Sequence, residues 1–272
     1  MTNKIKSITI GSFDGIHIAH RRLIDQADLL VVIERHSGYL TPGYKRANYT
    51  DKPCAFYLFD KVKSLTPREF MTQLKEDYPM LERVVVGYDF HFGRGKSGDA
   101  EHLRELFDGE VVIVNEVSEG NIPVHSRTIK RYLGEGNMAM VTQFLKRAYS
   151  IDGEIIPGQG LGRRELVPTL NLSVRHYQLP MEGVYATETK IDGEWLPSVS
   201  FLGHRETIDG SYAIETHILS GDIGIVDGVV SMRFIEFVRE NKKFDGLDAL
   251  RQAIDKDIEI AESLIKDFRM ID

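Results

Sequence analysis

Cysteine is nearly absent from this chain: Cys54 stands alone, which excludes an internal disulfide and fits a reducing compartment. A basic excess is missing too. The chain has 34 Lys and Arg against 41 Asp and Glu, and the resulting net charge of −7 argues against a general nucleic-acid binder. No charged-then-apolar leader opens the sequence, and no apolar run approaches the length of a membrane span. The expectation is a soluble cytoplasmic protein with no membrane partner. What is present is ample apolar material, 42% of 272 residues, enough for a buried core and for two domains.

The sequence is organised around Gly11-Ser12-Phe13-Asp14-Gly15-Ile16-His17-Ile18-Ala19-His20. Residues 4–10 before it read as a strand, and residues 20–27 after it as a short helix with Leu23, Ile24 and Ala27 on one face. A strand, a glycine turn and a helix start expose backbone N–H groups to an anion. Gly11 and Gly15 let the backbone bend and approach a ligand closely. His17 and His20 would point at that anion, and imidazoles can donate to phosphate oxygens. This stretch has no Gly-Lys-Ser/Thr, so it is not a P-loop. Two other readings stay open on spacing alone. The histidines could be surface residues of an ordinary turn, or metal ligands, although no further ligand cluster follows at suitable spacing.

Residues 29–33 form a second buried strand, and 55–58 a third. Between them, residues 35–53 are rich in Gly, Pro, Tyr, Lys and Arg. They read as a long loop, either a substrate-covering flap or an ordinary disordered insertion. Thr66-Pro67-Arg68-Glu69 opens a helix with a capping box and Pro at its first position, turning Phe70, Met71 and Leu74 inward. The strand at 83–87 runs into Tyr88-Asp89-Phe90-His91-Phe92-Gly93, continuing through Lys96 to Gly98. A loop at the carboxyl edge of a parallel sheet is a ligand-binding position. There Phe90 and Phe92 could wall a flat ring while Asp89 accepts a hydrogen bond; the alternative is a loop pinned to the core by two aromatics. A strand at 110–115 follows, then a helix introduced by His125-Ser126-Arg127-Thr128-Ile129-Lys130, whose hydroxyl and basic residues suit a polyphosphate. The alternation of strands and helices implies a parallel, doubly wound sheet. After an amphipathic helix at 137–147 the pattern changes, and the domain boundary is placed there, giving domains 1–148 and 149–272.

The second domain is a succession of short strands, at 151–156, 183–191, 196–201, 213–219 and 229–238, which suggests an antiparallel barrel. A helix over 247–268, apolar at Leu250, Ile254, Ile258, Ala261 and Ile265, would pack on it. Gly158-Gln159-Gly160-Leu161-Gly162-Arg163 is a glycine loop between strands, and Pro168-Thr169-Leu170-Asn171 follows it. The Thr169 hydroxyl and Asn171 carbonyl are hard oxygen donors of the kind that suit a hard divalent cation. Glu215, in Glu215-Thr216-His217, could take the proton of a bound alcohol during phosphoryl transfer. An outward-facing strand glutamate is the plainer reading of the same residue.

Several of these stretches carry a resemblance. Gly-x-Phe-Asp-Gly-x-His and the paired histidines resemble the His-x-Gly-His signature of the nucleotidyltransferase superfamily, in the form found in bacterial bifunctional riboflavin kinase/FAD synthetases, with Ala19 where Gly is usual. Gly87–Gly93 resembles that family's Gly-x-Asp-Phe-x-Phe-Gly. The third motif, Ser-Ser-Thr-x-Ile-Arg, is matched at Ser126 and Ile129, with His125, Arg127 and Lys130 as substitutions. Pro168–Asn171 is similar to Pro-Thr-Ala-Asn, with Leu170 for Ala, and Glu215-x-His217 to the family's base. Arg239 matches an Arg that precedes the Lys243-Phe244 pair.

The resemblance implies a Rossmann-like FMN adenylyltransferase domain followed by a β-barrel riboflavin kinase domain. Its substrates would be riboflavin, FMN and ATP, its products FMN and then FAD, its metal Mg²⁺. It implies Glu215, His17 and His20 as catalytic, with Thr169 and Asn171 on the metal. ATP or its phosphates would lie at Gly11, Ser12, Phe13, Asp14, Gly15, Ser126, Arg127, Lys130, Gly158, Gly160, Gly162 and Arg163. The flavin would lie at Asp89, Phe90, Phe92 and Arg239. Three rivals remain: a riboflavin kinase whose first domain no longer adenylylates, a flavin- or nucleotide-binding regulator without turnover, and an adenylyltransferase for some other phosphate substrate, which the attached kinase-like barrel disfavours. The sequence leaves the oligomeric state open.

Overall fold

A computed structural model describes residues 4–35, 39–158, 167–219, 221 and 224–270. The chain divides into two compact units, Met1–Thr128 and Ile129–Asp272.

The first unit is built on a parallel sheet of β1 (Ser7–Gly11), β2 (Leu29–Glu34), β3 (Cys54–Leu58), β4 (Arg83–Gly87) and β5 (Glu110–Val114), in the order β3-β2-β1-β4-β5. Their apolar runs fit burial on both faces: Ile8, Ile10, Val31, Val84 and Val86 are buried in one core. Helices α1 (Ile18–Ile24), α2 (Pro67–Asp77) and α3 (Ala100–Leu106) connect the strands. The predicted start of α2 is present in full. Thr66 Oγ1 accepts from the Glu69 N–H at 3.3 Å, and Glu69 Oε2 accepts from the Thr66 N–H at 2.7 Å. Phe70, Met71 and Leu74 face the core; Leu74 is fully buried, and its truncation to Ala would cost about 2–5 kcal/mol. Because the strand order reverses between β1 and β4, their carboxyl ends open a crevice, the usual ligand position in such sheets.

The stretch expected as a long loop at 35–53 is more structured than that. Residues Gly43–Tyr49 form a 3-10 helix in which Lys45 and Arg46 are buried. Leu40 and Thr41 donate their N–H groups to Asp14 Oδ1 at 2.7 and 3.1 Å, and Thr41 Oγ1 accepts from the Gly15 N–H at 2.8 Å. Arg46 pairs with Glu34 and lies over the Tyr39 ring. Over its described residues this segment is a packed support for the 11–17 turn rather than a flap or a disordered insertion.

Helix α4 (Ser126–Gly134) begins at the end of the first unit, and α5 (Met138–Leu145) follows, capped by the Asn137 carbonyl, which accepts from the Met140 N–H at 3.1 Å. Then come β6 (Tyr149–Ile156), β7 (Leu170–Val174), β8 (Gly183–Ile191), β9 (Glu194–His204), β10 (Tyr212–Ile218) and β11 (Val229–Arg239). They close an antiparallel barrel in the order β6-β7-β10-β9-β8-β11. Strand β7 was not anticipated as a strand.

Part of the barrel interior is hydroxylic: Thr187, Thr189, Ser198, Ser200 and Thr216 are buried and bond one another at 2.7–3.1 Å. Helix α6 (Leu247–Arg269) lays Ala261 and Ile265 on Val184, Ala186, Val199 and Ile235. Glu188, fully buried, is paired with Arg233 and Arg269. No helix among the described residues is long and apolar enough to cross a membrane.

Candidate active sites

In the first unit the turn after β1 is under backbone strain. Phe13 and Ile16 sit at φ +47° and +42°, a conformation unfavourable for a bulky residue and most of all for a β-branched one. Both side chains are buried, and the hydrogen bonds of Asp14 and Gly15 to residues 40 and 41 hold the turn in place. The strain delivers His17 as the N-cap of α1: its Nδ1 accepts from the His20 N–H at 3.3 Å. The neutral ring therefore carries its proton on Nε2, which lies 3.4 Å from Ser126 Oγ. Ser126 Oγ donates onward to the Asp14 carbonyl at 2.7 Å. The first and third sequence motifs thus meet at one point although 109 positions separate Ser126 from His17.

These residues open on a cavity of about 520 Å³. It is lined by Gly11, Ser12, Phe13, His17, His20 and Ser126 on one side and Asp89, Phe90 and Phe92 on the other. Phe90 stacks on Phe92, ring centroids 5.5 Å apart, and Phe92 is buried against Phe70. Phe92 is thus a core residue that also lines the cavity. Asp14 and Gly15 stand behind the lining as supports of the turn, and Arg127 lies on the exposed side of its helix. One group at the cavity was not foreseen. The Tyr88 hydroxyl donates to Glu116 Oε1 at 2.6 Å, with His125 Nε2 3.4 Å from the same oxygen. This hydrogen bond pushes the Tyr88 hydroxyl up to about 12 and holds the Glu116 carboxyl below its usual range.

In the second unit Asn171 on β7 and Glu215 on β10 are directly paired, so both side chains stand on the same face. Thr216 between Glu215 and His217 points inward to the hydroxyl network, which leaves the two motif residues on the opposite face. His217 Nδ1 donates to the Pro168 carbonyl at 2.7 Å, tying Pro168-Thr169 to β10. A cavity of about 130 Å³ is lined by Thr169, Val199, Phe201, Arg205, Glu215 and Phe244, among others. Arg239 lines it too, but its guanidinium is engaged by the buried Asp257 carboxylate at 2.7 Å and stacks over Phe244.

Gly158 lies against Asn171, where a Cβ would fall 2.3 Å from Asn171 Nδ2. Gly160, Gly162 and Arg163 lie outside the described residues. Thr169 and Asn171 fit a hard divalent cation: both are neutral oxygen donors, and Asn171 Oδ1, accepting one hydrogen bond, keeps a second lone pair. No cluster of three or more His, Cys, Asp or Glu able to hold a metal exists among the described residues. The largest omission of sequence reasoning is Arg205, whose guanidinium bonds Glu215 Oε1 at 2.6 Å and Asn171 Oδ1 at 2.8 Å.

Comparison with known proteins places names beside these two sites. Residues 50–128 match the FAD synthetase family model, and residues 145–265 match the riboflavin kinase model. The chain belongs to the bifunctional riboflavin kinase/FAD synthetase family. Proteins described as bifunctional riboflavin kinase/FMN adenylyltransferase are similar over nearly their whole length. The Pseudomonas fluorescens protein is 27% identical, with 94% of this chain and 92% of the relative covered. That of Escherichia coli K12 is 26% identical over 92% and 90%, and that of Listeria monocytogenes 27% over 93% and 90%. A crystal structure from Streptococcus pneumoniae described as a macrolide-efflux protein has the same fold, with a TM-score of 0.83, 23% identity, and coverage of 96% and 97%.

Proposed function

We propose that this family member converts riboflavin to FMN in its barrel and FMN to FAD in its parallel-sheet unit, using ATP in both steps. The observation that carries the reading is the pairing of Asn171 with Glu215, which together with Thr169 lines a largely apolar pocket between the barrel and α6.

In the first step Glu215 accepts the proton of the ribityl primary hydroxyl as that oxygen bonds to the γ-phosphorus of ATP and the bond to ADP breaks. Val199, Phe201 and Phe244 exclude water around the flavin, and Arg239, fixed by Asp257, shapes the same wall. Thr169 and Asn171 would hold the divalent metal, Mg²⁺ by the hardness of their oxygens, and when bound it neutralises phosphate charge. Gly158, against Asn171, lies on the phosphate side of the site.

In the second step a phosphate oxygen of FMN attacks the α-phosphorus of a second ATP, and pyrophosphate leaves. No protein nucleophile is needed, because the substrate supplies it. The Nε2–H of His17 and the ring of His20 stabilise charge on the departing pyrophosphate. Gly11, Ser12 and Ser126 surround the triphosphate, and Phe90 and Phe92 wall the flavin ring, with Asp89 as acceptor. Cys54, the single cysteine, supports residence in a reducing cytoplasm.

The test is a time course of purified protein with riboflavin, excess ATP and Mg²⁺, the flavins being separated at each point. FMN that rises and then gives way to FAD is the expected result. FMN accumulation without FAD, with oxidised and reduced flavin alike, would leave a kinase alone. Unchanged riboflavin would overturn the assignment of the barrel.

A further inference from the structure

Arg205 lies where the proposed base and the proposed metal ligand meet, and it uses three nitrogens to do so. Its Nε and Nη2 donate to Glu215 Oε1 at 2.9 and 2.6 Å, the same Nη2 donates to Asn171 Oδ1 at 2.8 Å, and Nη1 donates to Ser211 Oγ at 2.9 Å. We propose that Arg205 is a positioning residue of the phosphoryl-transfer site, a single guanidinium that sets the Glu215 carboxylate and the Asn171 carbonyl at one fixed separation. This inference rests on the roles proposed above for those two residues.

Three features make the bridge more than a surface ion pair. The Arg205 side chain is 12% exposed and that of Glu215 25%, so solvent screens the contact only in part. The backbone at Arg205 is itself locked. Its N–H donates to the Ser211 carbonyl at 2.9 Å, and its own carbonyl accepts from Ile208, Asp209 and Gly210, which closes the 205–211 turn. Finally, both contacts to Glu215 fall on Oε1. Among the described residues Oε2 has no hydrogen-bonding partner, so the carboxylate is held by one oxygen and presents the other.

Asn171 and Glu215 are cross-strand neighbours, but pairing alone leaves each side chain several rotamers. A planar cation with fixed nitrogens selects one combination. Lysine cannot substitute, since an ammonium on a flexible stem has no rigid fork. The arrangement orients the proton acceptor and a phosphate-side ligand relative to each other before substrate arrives, the kind of positioning whose loss by an ångström costs about 10²-fold in rate.

The test compares Arg205→Met, Arg205→Lys, Glu215→Gln and the Arg205→Met/Glu215→Gln double variant. The readouts are kcat and riboflavin KM for phosphorylation, riboflavin affinity by flavin fluorescence quenching, and Mn²⁺ affinity of the protein with ADP by electron paramagnetic resonance. R205M should lose about 10²-fold in kcat and weaken Mn²⁺ by about tenfold or more, with riboflavin affinity and KM little changed. R205K should recover only part of kcat. Adding R205M to E215Q should cost clearly less than it does in the wild type, because the base is already gone and only the Asn171 side of the bridge is left to lose.

Wild-type kcat in R205M, an equal loss on the E215Q background, or a loss confined to KM would each overturn the proposal. If R205M fails to bind riboflavin because the barrel is misfolded, R205K decides the matter alone, and a wild-type kcat there overturns the inference. An E215Q protein that phosphorylates normally would defeat the reading of the site itself, a result distinct from any of these.

Discussion

His17 and His20 stack face to face, their ring centroids 3.6 Å apart and their planes 17° from parallel. The stack is fixed from both sides: His17 caps the helix and reaches Ser126, and His20 packs against Phe13 in a T-shaped pair with ring centroids 5.2 Å apart. His20→Ala should reduce FAD formation from supplied FMN by about 10²-fold or more while sparing FMN formation, since one preorganised donor to a leaving group is worth that much. His17→Ala should lose as much and also lower the unfolding temperature, because it removes an N-cap and a buried ring. Flavin chromatography and a thermal melt of each variant check both statements.

Glu215→Gln keeps the shape of the pocket and removes the proton acceptor. Phosphorylation of riboflavin should collapse, by about 10²–10⁴-fold if the group serves as general base. Riboflavin should still bind, and supplied FMN should still be converted to FAD. A variant that loses riboflavin binding instead would assign Glu215 to recognition.

Gly158→Ala should act through Asn171. The new methyl would fall 2.3 Å from Asn171 Nδ2, and the amide cannot swing away freely while Arg205 holds its oxygen. Displacing a ligand in this way should raise the Mg²⁺ concentration needed for half-maximal kinase rate by about 10–100-fold. A titration of rate against Mg²⁺ measures it.

Asp257 is buried on α6 and is the carboxylate partner of Arg239. Asp257→Ala leaves the Arg239 charge without its partner, which should cost about 3–5 kcal/mol of barrel stability in denaturant unfolding. It should also raise the riboflavin KM, because Arg239 and Phe244 line the pocket.

Acid should weaken the start of α2. The Thr66 N–H, and after it the Thr66 hydroxyl, hold the Glu69 carboxyl below the ordinary glutamate range. A carboxyl depressed in the folded state stabilises that state above its unfolded value, near 4.3, and the contribution is lost as pH falls through the folded value. The stability gap between the wild type and Glu69→Gln should thus be present at pH 7 and close below about pH 4. Thermal melts of the two proteins across that range follow the gap.

Local signals in the sequence were followed closely by the fold. The cap at Thr66, the buried valines of β4 and the strand Gly183–Ile191 all arise from interactions within a few residues, or from patterns that burial imposes. What escaped notice depends on distant partners. Arg205 meets Asn171 from 34 positions away, and Leu40 meets Asp14 from 26. Nothing in the polar composition of 35–53 announced that Arg46 would be buried against Glu34. Strand β7 is five residues long, and its ladder partners come from β6 and β10, so period alone could not reveal it. Among the candidate site residues, His17, His20 and Ser126 stood out through a resemblance, since spacing alone left other readings open, and the fold brings the three to one cavity. The Tyr88–Glu116–His125 group did not, because it forms only when β4 and β5 lie side by side.

The hydroxyls sealed inside the barrel constrain how this protein can change over evolutionary time. Thr187, Thr189, Ser198, Ser200 and Thr216 satisfy one another in a ring of donors and acceptors. Replacing one of the threonines by valine, or one of the serines by alanine, roughly keeps the shape but strands its neighbours, whereas replacing several at once could give an oily centre of equal quality. The intermediate sequences lie in a valley between two fit solutions. Drift at these five positions should therefore be slow and correlated, with lineages holding either the whole polar set or none of it.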